Sequence, residues 1–221
     1  MVKAIFFDLF ETLITESHAV PRRASSLGFD LGIEPDVFRV EWTPRRQAVI
    51  LGHISFSDAL AQICAVAGRP VENLTLERLC QERVRAKSLA FSRIEPQILT
   101  ALDELRKQGI CLGVISNCFA EDVMEWPACV LSPLFDCTLF SFEVHLAKPD
   151  PAIYEAACRW LGADPAVTMF ISDGTDELMG AERMGIQSFQ ALWFLKRWPH
   201  FREHRLYARS LSKVEDLLSH V

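Results

Sequence analysis

Val2-Lys3-Ala4-Ile5-Phe6-Phe7-Asp8-Leu9-Phe10-Glu11-Thr12-Leu13 is the stretch on which the reading of this chain turns. A short apolar run, Ile5–Phe7 with its flanks, stops abruptly at an acid. Runs this short, apolar at every position, read as strands buried on both faces. Similar runs recur at Ile110–Ser116, Cys137–Ser141, Thr168–Ser172 and Gln187–Trp193. Between them lie helical patterns. Pro96–Gln108 carries Ile98, Leu99, Leu102 and Leu105 at helical spacing and ends at Gly109. Pro151–Leu161 ends at Gly162, and Glu177–Met184 at Gly185. Glycine just past the last helical residue is a common stop signal. Strands alternating with helices predict an α/β fold with right-handed crossovers and a parallel sheet. Such sheets bind ligands beyond the carboxyl ends of their strands.

Residues 15–93 break the alternation. They read as helices over Asp36–Leu51, Ser55–Ala67 and Leu74–Ala90. Ser55-x-x-Asp58 resembles a capping box with Asp in place of Glu or Gln, and Thr75-x-x-Arg78 is placed at the opening of the third helix. The expected division is a core of residues 1–14 and 94–221, with a helical cap or lid of residues 15–93 inserted after the first strand.

The 221 residues, half of them apolar, suffice for a sizeable core. A net charge of −6 argues against nucleic acid as a partner. The basic stretches Pro21–Arg23, Arg45–Arg46 and Lys196–Arg209 read as solvated surface. The run before Asp8 is too short for a membrane span. Seven scattered cysteines without a CxxC pair signal neither zinc nor disulfides, and fit a reducing cytoplasm.

Four polar clusters follow four predicted strands: Asp8 with Thr12, Ser116-Asn117, Lys148-Pro149, and Asp173 with Asp176-Glu177. Taken singly, each is an ordinary turn or helix start. Together, in order, they converge on one sheet edge. A carboxylate can attack phosphorus or an activated carbon to form a covalent intermediate. Lys148 can supply a point charge beside it, and Ser116 with neighbouring amides can donate to oxyanions. Asp8 and Asp173 are hard oxygen ligands suited to Mg²⁺.

The set resembles the haloacid dehalogenase-like superfamily. Phe7-Asp8-Leu9-Phe10-Glu11-Thr12-Leu13 is similar to its first motif and Val114-Ile115-Ser116-Asn117 to its second. Lys148-Pro149-Asp150-Pro151-x-Ile153-Tyr154 is similar to the third, and Ile171-Ser172-Asp173-Gly174-Thr175-Asp176-Glu177 to the fourth. The resemblance implies a Rossmann-like core with an inserted helical cap. It implies Asp8 as nucleophile and metal ligand, with the Phe10 backbone carbonyl and Asp173 completing the protein ligands to Mg²⁺. Lys148 would steady Asp8 and the substrate charge. Ser116 and Asn117 would bind the phosphate or leaving group, and Thr12 would tie down the loop. Glu177 would support the ligands from behind, or simply favour its helix N-terminus.

One position departs from the pattern. Family phosphatases usually carry an acid two residues after the nucleophile, and here that residue is Phe10. Proton transfer of this kind is worth roughly a hundred- to ten-thousand-fold. Glu11 is the adjacent carboxylate. An aromatic at this position resembles the 2-haloacid dehalogenases, where halide needs no proton to leave. The leading expectation is a Mg²⁺-dependent phosphatase on a small phosphorylated metabolite. A 2-haloacid dehalogenase is the alternative, and a non-catalytic binding protein on the same fold the third. Arg22, Arg23, Trp42, Arg45, Arg46 and His53 are candidates to face the pocket from the cap. Trp126, Trp193 and Trp198 are expected to pack. The aromatic run from Trp193 to Phe201 is expected to cover a sheet edge or to support a homodimer.

Overall fold

The computed structural model describes residues 2–16, 24–197 and 206–221. Six strands form one parallel sheet: β1 (Ala4–Phe7), β2 (Cys111–Ser116), β3 (Cys137–Phe140), β4 (Thr168–Ser172), β5 (Gln187–Ala191) and β6 (Ser210–Leu211), in the order β3-β2-β1-β4-β5-β6. β1 is central, with Phe7 level with Val114 of β2 on one side and Ile171 of β4 on the other. Its alternate side chains serve two cores. Ile5 and Phe7 join Ile98, Leu102 and Leu105 of α5 (Pro96–Lys107). Phe6 faces the opposite side, with Ile153, Tyr154 and Ala157 of α7 (Pro151–Leu161) and Leu178 and Ala181 of α8 (Thr175–Glu182). Helices on both faces explain why the strands read as unbroken apolar runs. Gly113 makes room for Phe6, since a Cβ there would lie 2.5 Å from its ring.

Four helices fill the span between β1 and α5: α1 (Ala24–Asp30), α2 (Pro35–Ile50), α3 (Phe56–Val66) and α4 (Asn73–Phe91). They build a separate apolar cluster around Phe38, Trp42, Phe56, Leu60 and Ile63, into which Phe119 and Ala147 reach from the sheet side. The capping box at Ser55 forms: Asp58 N donates to Ser55 Oγ (3.0 Å) and Ser55 N to the Asp58 carboxylate (3.3 Å). Thr75, by contrast, does not open α4. The helix begins at Asn73, and Thr75 N already bonds to the Glu72 carbonyl (3.0 Å). α8 likewise starts at Thr175, two residues before the expected start at Glu177, because its first turn is polar and adds nothing to the apolar periodicity. A short helix α6 (Ser141–Val144) follows β3, and Gly52 presses against it. Gly52 has φ +68° and a Cβ there would lie 2.0 Å from the Phe142 carbonyl oxygen, so the contact admits only glycine.

The two-residue β6 was too short to read, and β5 ends at Ala191 rather than Trp193. There the chain leaves the sheet while Leu192 N still bonds to the Leu211 carbonyl (3.0 Å). Phe194 and Leu195 then bury themselves at this edge. Trp126 packs between Phe135 and Phe140. Arg22, Arg23, Trp198 and Phe201 lie outside the described residues. Among the described residues no helix is long and apolar enough to cross a membrane.

Candidate active site

The ends of β1, β2 and β4 bring Asp8, Ser116 and Asp173 to one edge of the sheet, and Lys148 reaches Asp8 not from a strand end, as expected, but from the loop between α6 and α7. Asp8 directly follows β1, and its amide donates to the Ile171 carbonyl (2.8 Å), which extends the β1–β4 pairing by one residue. Its carboxylate is buried and bonds to the ammonium of Lys148. Lys148 has no exposed side-chain surface and also meets Glu177 Oε2 at 2.8 Å. Burial alone would lower its pKa. The two carboxylates outweigh that and hold it well above its ordinary value, so the ammonium stays charged.

This lysine is held from three directions. Asn117 clamps its backbone, donating from Nδ2 to the Lys148 carbonyl (2.7 Å) and accepting the Lys148 amide at Oδ1 (2.9 Å). Both polar ends of the Asn117 side chain are thereby engaged, so it positions Lys148 where the resemblance had it binding substrate. Glu177 is fixed in turn by the Ser172 hydroxyl on Oε2 (2.8 Å) and by Tyr154, whose hydroxyl donates to the Glu177 carbonyl (2.7 Å). Gly180 lets α8 lie against the Lys148–Pro149 loop; a Cβ there would sit 2.6 Å from the Pro149 carbonyl oxygen. Ser172 and Tyr154 lie within the motif stretches and Gly180 three residues past the last, but nothing in their spacing announced these contacts.

Asp173 lies just beyond β4, with its carbonyl accepting from Gln190 Nε2 (2.9 Å). Burial pushes its carboxyl up to about 8, and the neighbouring charges of Asp8 and Glu177 add to the shift. Burial likewise pushes Asp8 up to about 7, with Lys148 opposing and Glu177 reinforcing. Two acids that resist ionising together, one buried and one half-buried, suit a divalent cation between them. Among the described residues no three Cys, His, Asp or Glu side chains gather as a ready metal cage. A carboxylate pair plus a backbone carbonyl is instead the sparse set Mg²⁺ takes when it keeps its waters. In the turn after Asp8, the Leu9 carbonyl rather than that of Phe10 accepts the amides of Leu13 (2.9 Å) and Ile14 (3.0 Å). The residues fit the ion.

Two hydroxyls stand out. Thr12 Oγ1 and Ser116 Oγ are buried and have no hydrogen-bond partner among the described residues. Such groups cost about 1–3 kcal/mol each unless a ligand satisfies them. The Thr12 carbonyl is engaged, accepting Trp193 Nε1 at 2.8 Å.

The other wall of the site is different. Phe10 sets its ring edge-on to Phe91 of α4, with centroids 6.4 Å apart, and the ammonium of Lys87 lies 4.3 Å from the Phe10 centroid. Glu11, with φ +57°, accepts the Thr15 hydroxyl (2.8 Å) and the Glu16 amide (2.7 Å) on its carboxylate. The pocket candidates on α2 sort themselves. Trp42 is buried, stacked on Phe38. Arg45 pairs with Glu41 (2.6 Å) and reaches Gln62 on α3. His53, past the end of α2, stacks on His145.

A family model described as haloacid dehalogenase-like hydrolase matches residues 2–185. The chain is 29% identical over 171 residues to a phosphatase of Mycobacterium tuberculosis, covering 71% of this chain and 77% of that protein. It is 27% identical over 213 residues to an (S)-2-haloacid dehalogenase of a Pseudomonas species, covering 91% and 86%. A crystal structure of a HAD-family enzyme from Bacteroides thetaiotaomicron, in complex with magnesium and inorganic phosphate, superposes with a TM-score of 0.64 at 20% identity. It covers 86% of this chain and 94% of that one. With the four motifs converging on one sheet edge and the match spanning most of its length, the chain belongs to the haloacid dehalogenase-like hydrolases.

Proposed function

We propose that this hydrolase is a Mg²⁺-dependent phosphatase acting on a small phosphorylated metabolite, with residues 15–93 as a cap over a core of residues 1–14 and 94–221. One observation carries the reading: the half-buried Asp173 lies within reach of the charge of Asp8. Two acids so placed are costly without a cation, and a cation is what an anionic phosphate needs beside an anionic nucleophile. The orphan hydroxyls of Thr12 and Ser116 support it, since phosphate oxygens would accept from both. So do the phosphatase among the relatives and the magnesium and phosphate bound by the Bacteroides enzyme. The seven free cysteines suit a reducing compartment such as the cytoplasm.

In this reading Asp8 attacks phosphorus in line with the leaving oxygen. The P–O bond to the leaving group breaks as the bond to the Asp8 carboxylate forms. Water then attacks the aspartyl phosphate, releasing phosphate and restoring Asp8. Lys148 orients Asp8 and opposes the burial that favours its protonation, and Glu177 and Asn117 keep Lys148 in place. Asp8, Asp173 and the Phe10 carbonyl would hold Mg²⁺, which when bound supplies positive charge against the transferring group. No acid stands at Phe10 to protonate the leaving oxygen, so substrates with good leaving groups should react best. Phosphate release from a panel of phosphomonoesters, lost with chelator and in Asp8→Asn, tests the proposal. No release, or release indifferent to Asp8→Asn, overturns it.

Phe10 favours a second reading, a 2-haloacid dehalogenase in which Asp8 displaces halide from carbon and water hydrolyses the resulting ester. Halide release that persists in chelator would establish it.

A further inference from the structure

β5 buries an amide. Its fourth residue, Gln190, is only 1% exposed, between Phe189 and Ala191, which are buried too. A side-chain amide in such a place needs its hydrogen bonds supplied, because leaving it unbonded is costly. Gln190 has them at both ends. Its Nε2 donates to the Asp173 carbonyl (2.9 Å), and its Oε1 accepts the Tyr207 amide (2.8 Å). The backbone is held as well, with the Gln190 amide donating to the Arg209 carbonyl (2.8 Å). One side chain thus joins the acid-bearing loop after β4 to the segment that leads into β6.

The sheet register explains the reach. Gln190 is level with Ser172, the last residue of β4. Residues paired in this way put their side chains on one face of the sheet. Here it is the face of Phe170, which packs with Leu178 and Ala181 of α8. Ser172 Oγ accepts the Gly174 amide (3.1 Å). The Asp173 carbonyl and the Gly174 amide belong to the same peptide unit. That unit is therefore gripped on both polar atoms, by Ser172 from its own strand and by Gln190 from the next. A peptide unit is planar and rigid, and only the dihedrals beside it are soft. With β4 on one side and this gripped plane on the other, the backbone of Asp173 has little freedom left, and its side chain leaves Cα in a set direction.

Gln190 lines the same cavity as Asp173, Lys148 and Glu177. It lies beyond residues 2–185, the span matched by the family model, so none of the four motifs accounts for it. We propose that Gln190 is a positioning residue: acting through the Asp173 peptide, it holds the Asp173 carboxylate in place to share the Mg²⁺ ion with Asp8. This rests on the metal-dependent reading given above. A residue that only stitched the C-terminal segment to β5 would contribute stability and leave the affinity for the ion alone. A positioning residue contributes to both, because a carboxylate free to turn away must be ordered again before it binds.

Mg²⁺ alone, titrated calorimetrically into the unaltered protein and three variants, separates these roles. Gln190→Met keeps the length of the side chain and removes both of its hydrogen bonds. The Mg²⁺ dissociation constant should rise about tenfold, the lower end for the outer partners of a metal site. Phe189→Leu lies on the same strand but faces the other core. It should lower the melting temperature and leave the dissociation constant unchanged. Gln190→Asn keeps a buried amide one methylene too short to span Asp173 and Tyr207. It should behave as Gln190→Met does, and it carries the test should Gln190→Met fail to fold. An equal loss of affinity in Phe189→Leu overturns the role, because loosening the strand would then suffice. Mg²⁺ that binds the unaltered protein and its Gln190 variants alike overturns the role alone. Mg²⁺ that fails to bind the unaltered protein overturns it together with the metal-dependent reading.

Discussion

The two walls of the site are built on different principles. The floor, with Asp8, Lys148, Glu177 and Asn117, is drawn from the ends of sheet strands and the loops between them. Each member is held by at least one other: the Asn117 clamp on Lys148, Ser172 and Tyr154 on Glu177, Gln190 on Asp173. The roof, with Phe10, Lys87, Arg83 and Asp122, is a set of ion pairs and ring contacts joining two apolar clusters. A rigid floor suits bond making, which tolerates little displacement. Contacts across a seam can be exchanged without disturbing the sheet.

That contrast can be broken or sharpened experimentally. The largest effect belongs to the floor: Asp8→Asn should cut phosphate release by about 10⁴-fold or more, as loss of a nucleophile does. A variant retaining a tenth of the activity would move the nucleophile elsewhere. At the roof, Phe10→Asp should raise turnover of esters with poor leaving groups by about 100-fold, the lower range for an added general acid. No gain, alongside unchanged halide release, would favour the dehalogenase. Gly180→Ala should push α8 off Pro149 and displace Lys148, lowering kcat about tenfold and stability by about 1–3 kcal/mol. Unaltered kcat with an unaltered melting temperature would show that the loop does not depend on this contact.

Smaller still is a pH effect. Asp8 and Asp173 are held up to about 7 and about 8, against about 3.9 when unfolded. The native state therefore binds more protons between these values, and the metal-free protein loses stability as pH rises through them. Mg²⁺ should offset the repulsion, raising the melting temperature by several degrees more at pH 8 than at pH 5. Equal shifts at both would separate the acids from the ion. Least of all, Arg45→Gln should change stability by less than about 0.5 kcal/mol and leave turnover alone, because its pairing with Glu41 lies within α2.

The floor was legible for a physical reason. Strands buried on both faces must be apolar throughout, so a polar residue at their end is conspicuous, and a parallel sheet brings such ends together. Asp8, Ser116 and Asp173 were found this way; Lys148 was expected at a strand end too, but lies eight residues past β3, in the loop between α6 and α7. Tyr154 and Ser172 were not, because a buried hydroxyl in an apolar stretch reads as packing until its partner is seen. The roof was nearly illegible. Trp42, Arg45 and Arg46 are near neighbours on α2, yet one is buried, one paired along its own helix and one exposed. Helical periodicity marks an apolar face, and both the cluster around Phe38 and the seam demand one. Arg83 and Lys87 stood in a helix whose charged residues look alike in sequence; only Phe119 and Asp122, some forty residues on, distinguish them.

The central place of β1 has a consequence for how the protein comes into being. This strand and Asp8 precede β2 and β4, their neighbours in the sheet, by more than 100 and 160 residues. The ion pair to Lys148 spans 140 residues of chain, and the Trp193 bond to the Thr12 carbonyl spans 181. A nascent chain therefore carries an apolar strand with two open edges and an unneutralised acid until these later segments have emerged. Contacts this distant in sequence make folding slow, because the chain must close long loops before they form. The helices of residues 24–91, whose contacts are mostly local, can gather while the sheet is still waiting for its middle strand to be flanked.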